Sequence, residues 1–239
     1  MEIFIFIFAI CLVSGALQAA VGFGFGLVAV ALLSLLIDVK DASVILVLGG
    51  LSLNVYVFFR LRDHFSFERM IPFIIASIIG VPFGVVLLVE ADAELLRQVL
   101  GILILMSCFQ RVIPHLAKHR WHPVAAGIPL GALSGALAGA FGTGGPPAVA
   151  YVASQHFDKF RWVVTMQAVL GISAVVRLLT LSAGGVLSAN LLGLSACGAV
   201  GAVLGARWGL CVLKRIPPLY LQWTITFTLL VLGLRFLLS

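Results

Sequence analysis

The chain has 239 residues, 62% of them apolar and 10% charged, against about 25% charged residues in an ordinary soluble domain. So little polar surface cannot cover a globule in water, which excludes a soluble enzyme. The formal net charge of +6 sits in short loops between apolar runs, a pattern that sets membrane topology and not one that grips nucleic acid.

Apolar runs of roughly 15–20 residues, the length that crosses the hydrocarbon core as a helix, follow one another along the chain. The first, Ile3–Ala20, ends in small residues as a secretory leader does. Only Glu2 precedes it, however, where a leader is positively charged, and its pattern returns in mid-chain. It is read as a span. After a Gly-rich stretch come Ala42–Phe59, Ile71–Val89 and Leu95–Phe109, then a second Gly-rich stretch, then Val163–Leu181, Leu191–Leu210 and Leu219–Leu234. Strand-like alternation is absent, so a β-barrel is not expected. Cys11, Cys108, Cys197 and Cys211 lie inside apolar segments at unrelated spacings and read as small packing residues. His115, His119 and His122 lie in a basic loop and read as a solvated face, not as metal ligands.

The two Gly-rich stretches are copies. Ser14-Gly15-Ala16-Leu17, followed by Ala20, Gly22 and Gly24, reappears as Ser134-Gly135-Ala136-Leu137, followed by Ala140, Gly142 and Gly144. A second echo sets Gly80 and Gly84 against Gly201 and Gly205, small residues four apart that let membrane helices approach closely. A weaker one sets Arg60 beside Arg177. Positive charge gathers at Arg60–Arg69, Arg111–His122, His156–Arg161 and Arg207–Arg215, while Glu90–Glu94 is acidic and Ser182–Asn190 uncharged. The positive-inside rule places the basic loops, 60–69 and 111–122 among them, in the cytoplasm. The repeated motif then ends outside in the first half and inside in the second. The expected architecture is an all-α polytopic membrane protein of two inverted-topology repeats, 1–120 and 121–239. Each repeat holds a Gly-rich broken-helix hairpin plus three transmembrane helices.

The breaks carry the chemistry. Irregular backbone at membrane depth is tolerated only where it is buried in protein or lines a wet cavity. Pro146 and Pro147 suit the first turn of a new helix. A helix that restarts after a break points free N–H groups and its positive dipole end at that break, which suits an anion. No strand precedes the glycines and no Lys follows them, so a nucleotide loop is a poor reading. No Asp or Glu lies within the spans, so the carboxylate relay of a proton pump is not seen.

The duplicated Ser-Gly-Ala-Leu…Gly-x-Gly pattern, and above all Gly142-Thr143-Gly144-Gly145-Pro146-Pro147, resembles the TauE/SafE sulfite exporter family, also called the toluene-sulfonate uptake permeases. The resemblance runs through both halves. It implies a secondary transporter that moves sulfite, a sulfonate, sulfoacetate or a similar small sulfur-containing anion across the bacterial inner membrane, in either direction.

The substrate is expected between the breaks. The substrate-binding residues would be Gln18, Gly22, Phe23, Gly24 and Phe25 from the first and Phe141, Gly142, Thr143, Gly144, Gly145 and Pro146 from the second. Backbone N–H groups around Gly144, Gly145 and Ala148 would face the oxygens, with Thr143 and Gln18 as side-chain donors and the phenylalanines as walls. Arg177 joins them if it turns inward and does not snorkel to the outer interface. The expected partners are a small anionic substrate and the lipid bilayer, with no nucleic acid and no cofactor or metal. A coupling ion (proton or sodium) and homo-oligomerisation stay open. The rival reading is a passive anion channel on the same scaffold.

Overall fold

The computed structural model describes residues 2–65, 67, 69–108 and 121–215. The run Leu219–Leu234 and the stretch 111–120 of the basic loop lie outside the described residues. Within them the chain forms nine α-helices and no strand: α1 (Glu2–Val21), α2 (Phe25–Leu33), α3 (Val39–Leu61), α4 (Ile71–Glu90), α5 (Ala93–Cys108), α6 (Gly127–Phe141), α7 (Gly145–Ser154), α8 (Lys159–Ala183) and α9 (Ala189–Arg215). A short 3-10 turn, Arg62–His64, follows α3. Five helices, α1, α3, α4, α8 and α9, are long and apolar enough to cross a membrane. The protein is a multi-pass helical membrane protein.

Local chemistry fixes the helix ends, and it does so twice. Gly22 (φ 101°) ends α1 and Gly24 (φ 114°) begins α2, in backbone conformations that a residue with a Cβ rarely adopts. Gly142 (φ 68°) ends α6 as a left-handed cap whose N–H returns to the Ala138 carbonyl. Asp38 caps α3 through the Lys40 N–H, and Asp158 caps α8 through the N–H groups of Phe160 and Arg161. The two aspartates are 120 positions apart (38 to 158), as are the starts of α2 and α7 (25 to 145) and of α3 and α8 (39 to 159).

The helices before residue 120 and those after it form two sets, and helices are exchanged between them. The α1 helix lies along α9, and α4 lies along α6. Glycines make both contacts. A Cβ on Gly80 or Gly84 would land on the carbonyls of Ala132 and Ala136, and one on Gly205 on that of Leu12. At Gly201 it would come 2.6 Å from the Phe8 oxygen. All four glycines thus sit at close helix–helix contacts, as their spacing predicts. The reverse face of the α4–α6 contact is built the same way, by Gly131, Gly135 and Gly139 against Phe73, Ser77 and Val81. The Arg60 and Arg177 echo does not hold. The 120-residue offset sets Arg177 against Val57, and while Arg177 is buried, Arg60 is exposed beside the Tyr56 ring.

Contacts between loops mark the two ends of the bundle. At one end Tyr151 donates from its hydroxyl to the Arg69 carbonyl (2.6 Å), and the His64 and Phe160 rings lie 5.3 Å apart. Gln155 there donates to the Trp121 carbonyl. At the other end Lys40 Nζ donates to the Val89 carbonyl (2.9 Å).

Candidate functional site

The two breaks touch. A Cβ on Gly26 would lie 2.5 Å from the Gly142 carbonyl oxygen and 2.9 Å from Thr143 Cβ. The Phe23 ring approaches to 3.8 Å from the corresponding point on Gly145. Phe25 turns away from the second break and packs on Gly49 and Gly50 of α3. Gly22 backs onto the Trp162 indole, and Gly24 faces open space. Phe141 and Pro146 are buried in the second hairpin. A Cβ on Gly144 would strike Ser134 Oγ, so that glycine serves the packing of its own hairpin.

The carbonyl ends of both broken helices are held by donors from α3 and α8. At the first break Trp162 Nε1 donates to the Val21 carbonyl (3.0 Å), and Gln167 Nε2 to that of Gly22 (3.1 Å). At the second, Arg177 Nε donates to the Gly139 carbonyl (2.9 Å), and Ser43 Oγ to that of Ala140 (2.7 Å). Arg177 Nη2 adds bonds to the Ser43 backbone oxygen (3.2 Å) and to Ser43 Oγ. Arg177 is 2% exposed, so it turns inward and does not snorkel. Among the described residues no carboxylate pairs with it; the negative dipole end of α6 stands in for one. One asymmetry is local: Ser134 Oγ clasps the Gly144 carbonyl (2.8 Å), whereas its counterpart Ser14 Oγ is buried without a partner among the described residues.

Three buried amides join the first break to α3 and α8. Gln18 Oε1 accepts the Phe25 N–H (2.9 Å), while its Nε2 donates to Asn54 Oδ1 (2.6 Å) and Gln167 Oε1 (3.2 Å). Gln18 therefore uses its acceptor and its donor group inside the protein. The N-terminal donors of the restarted helices are fewer than the sequence suggests. Gln18 occupies the Phe25 N–H, and Ala148 N–H returns to the Gly144 carbonyl (3.3 Å) as the first bond of α7. Pro146 and Pro147 have none. The Thr143 hydroxyl makes no hydrogen bond among the described residues.

Two voids adjoin this assembly. A narrow one of about 20 Å³, room for a single water by the usual measure, is lined by Gly50, Asn54, Ala138, Gly142 and Arg177 among others. A wider crevice of about 300 Å³ runs between α3 and α8 over Phe58, Phe59, Phe67 and Gly171, and reaches Asn54 and Gln167. Of the residues expected at the site, Gly142 and Arg177 line the narrow cavity. Asn54 and Gln167, which border these voids, were visible in the sequence only as lone polar residues within apolar runs; Ser43 and Trp162 gave no signal at all.

Neither curated proteins nor solved structures yield a match to this chain. A family model, Sulfite exporter TauE/SafE, matches residues 7–236. That span takes in both Gly-rich breaks and the Gly142–Pro147 motif, and the chain belongs to the TauE/SafE sulfite exporter family.

Proposed function

We propose that the protein is a secondary transporter of a small sulfur-containing anion (sulfite, a sulfonate, sulfoacetate or similar) in the bacterial inner membrane. The observation that carries this reading is the meeting of the two breaks at Gly26 and Gly142 with a buried Arg177 beside them that no carboxylate of the described residues pairs with. Donors from α3 and α8 cover the carbonyl ends of the broken helices, so the charge left over at their junction is positive. A buried positive site accepts an anion and repels a cation. Phe23, Gly145 and Thr143 lie where the breaks face one another.

The architecture we infer is a pair of inverted repeats. The end of α1 is held by Trp162 near the start of α8, and the end of α6 by Ser43 near the start of α3. Residues 1–120 and 121–239 thus exchange roles about their shared breaks. Tyr151, Arg69, His64 and Phe160 join the basic loops at one end of the bundle, which is the end we assign to the cytoplasm. A repeated unit inverted about a central site is the usual basis of alternating access.

Reconstitution in liposomes tests the function. The expected result is saturable exchange of ³⁵S-labelled sulfite or isethionate that stops in Gly26→Val, where the added side chain forces Gly26 off the Gly142 carbonyl. Ohmic single-channel currents carried by the same anions would replace the carrier by the passive channel.

A further inference from the structure

We propose that Asn54 and Arg177 together form the seat that holds the anionic head of the substrate, in the narrow cavity they share between α3, α6 and α8. The seat belongs to the transport site proposed above and rests on that reading, but it moves the anion contact from helix N-termini to two side chains.

Two backbone groups fix the orientation of the amides. The Phe25 N–H can only donate, so the Gln18 atom that faces it is Oε1 and the other end of Gln18 is its Nε2 donor. The Gly22 carbonyl can only accept, so Gln167 turns Nε2 towards it and leaves Oε1 for Gln18. Gln18 Nε2 then requires an acceptor from Asn54, which is Oδ1 at 2.6 Å. Asn54 Nδ2 is thereby forced to the other side as a donor. It makes no hydrogen bond among the described residues, yet Asn54 is only 4% exposed and lines both voids.

Arg177 arrives at the same cavity from the opposite wall. Nε and Nη2 are taken by Gly139, Ser43 and Ala140. The remaining nitrogen, Nη1, has no hydrogen-bond partner among the described residues and lies 2.6 Å from where a Cβ on Gly142 would stand. The absence of a side chain at Gly142 is what lets it reach the cavity. Two N–H donors on buried side chains, one of them a cation, thus border a small void with no acceptor supplied by the described residues. A single water in that void can serve them when no substrate is bound, and an oxyanion satisfies both donors at once with charge-assisted bonds. The void at about 20 Å³ is too small for a whole sulfonate, whereas the adjoining crevice at about 300 Å³ is not, and Asn54 is common to both. The narrow cavity therefore widens around the head group when the anion binds.

Purified protein in detergent and in liposomes tests this, with ³⁵S-labelled sulfite and isethionate as probes. Asn54→Asp keeps the oxygen that accepts from Gln18 and replaces the free donor by an acceptor; Asn54→Ser keeps an oxygen and restores a donor on a shorter arm. The seat predicts that anion-induced thermal stabilisation disappears in Asn54→Asp and that exchange falls by about tenfold or more, the loss of one hydrogen bond to a charged group. Asn54→Ser retains part of both. Should Asn54→Asp fail to fold, Asn54→Leu combined with the same stabilisation assay takes its place. Wild-type exchange with unchanged exchange and anion stabilisation in these variants overturns the seat while the transport reading stands. No exchange of either probe by the wild type overturns the transport reading, and the seat with it.

Discussion

Replacing Gln18 by Leu removes one side chain of similar size and strands three buried groups: the Phe25 N–H, Asn54 Oδ1 and Gln167 Oε1. A hydrogen bond contributes about 1 kcal/mol net, and a buried group left unsatisfied costs about 1–3 kcal/mol. Asn54 and Gln167 could reorient toward one another and recover part of the loss, so the whole change is worth about 3–5 kcal/mol. At about 2–4 °C per kcal/mol for a chain of this size, melting should fall by about 6–20 °C. Thermal unfolding of the purified variant in detergent, followed by tryptophan fluorescence, measures it. Because Gln18 and Asn54 share a bond, Gln18→Leu with Asn54→Leu should cost less than the sum of the two single changes. A Gln18→Leu protein melting within about 2 °C of wild type, or a strictly additive double variant, would refute the amide network as drawn.

Three further outcomes follow from other contacts. Gly84→Leu and Gly205→Leu should each lower melting by forcing helices apart, as overpacking costs about 1–3 kcal/mol or more, whereas Gly193→Leu, with nothing within 4 Å, should leave it unchanged; equal melting of all three in detergent would count against the exchange of helices. Gly142→Ala and Gly185→Ala both place an alanine at positive φ (68° and 66°), but only Gly142 has Arg177 against it, so liposome exchange should fail in the first alone. Asp158→Ala should destabilise more than Asp38→Ala, since Asp158 accepts two backbone N–H groups and Asp38 one, with each cap worth about 0.5–2 kcal/mol; the order of their melting temperatures checks it.

Much of the fold could be read from residue types alone. Apolar runs located every described span to within a few residues, because length and hydropathy decide what the bilayer accepts. The Ser-Gly-Ala-Leu copies located both breaks, because glycine at positive φ has few substitutes. The glycine pairs on α4 and α9 announced their helix contacts through spacing, though not which helix would fill them: that Gly84 meets α6 and Gly205 meets α1 depends on tertiary order. Site chemistry was harder. Gln18 looks like a donor to a ligand until Phe25, Asn54 and Gln167 are seen around it. Arg177 looks equally suited to snorkelling or to turning in, and the carbonyls of Gly139 and Ala140 that draw it inward lie 37 or more residues away in sequence. Single polar residues in a span reveal that something is bonded there, not what.

The exchange of helices between the two sets has a consequence for synthesis. The α4 face that carries Gly84 meets Ala136 roughly 50 residues later, but Leu12 and Phe8 on α1 meet Gly205 and Gly201 roughly 190 residues later. At about 5–20 residues per second, α1 waits on the order of 10–40 s after its own emergence before its partner exists. Through that interval its small-residue face is bare to lipid or to the insertion machinery, and until α8 emerges the first break has neither Trp162 nor Gln167 to hold its carbonyls. Assembly of the breaks therefore comes late and all together, when α8 and α9 arrive, and a nascent chain stalled before α8 should be a substrate for membrane quality control, not a half-working carrier.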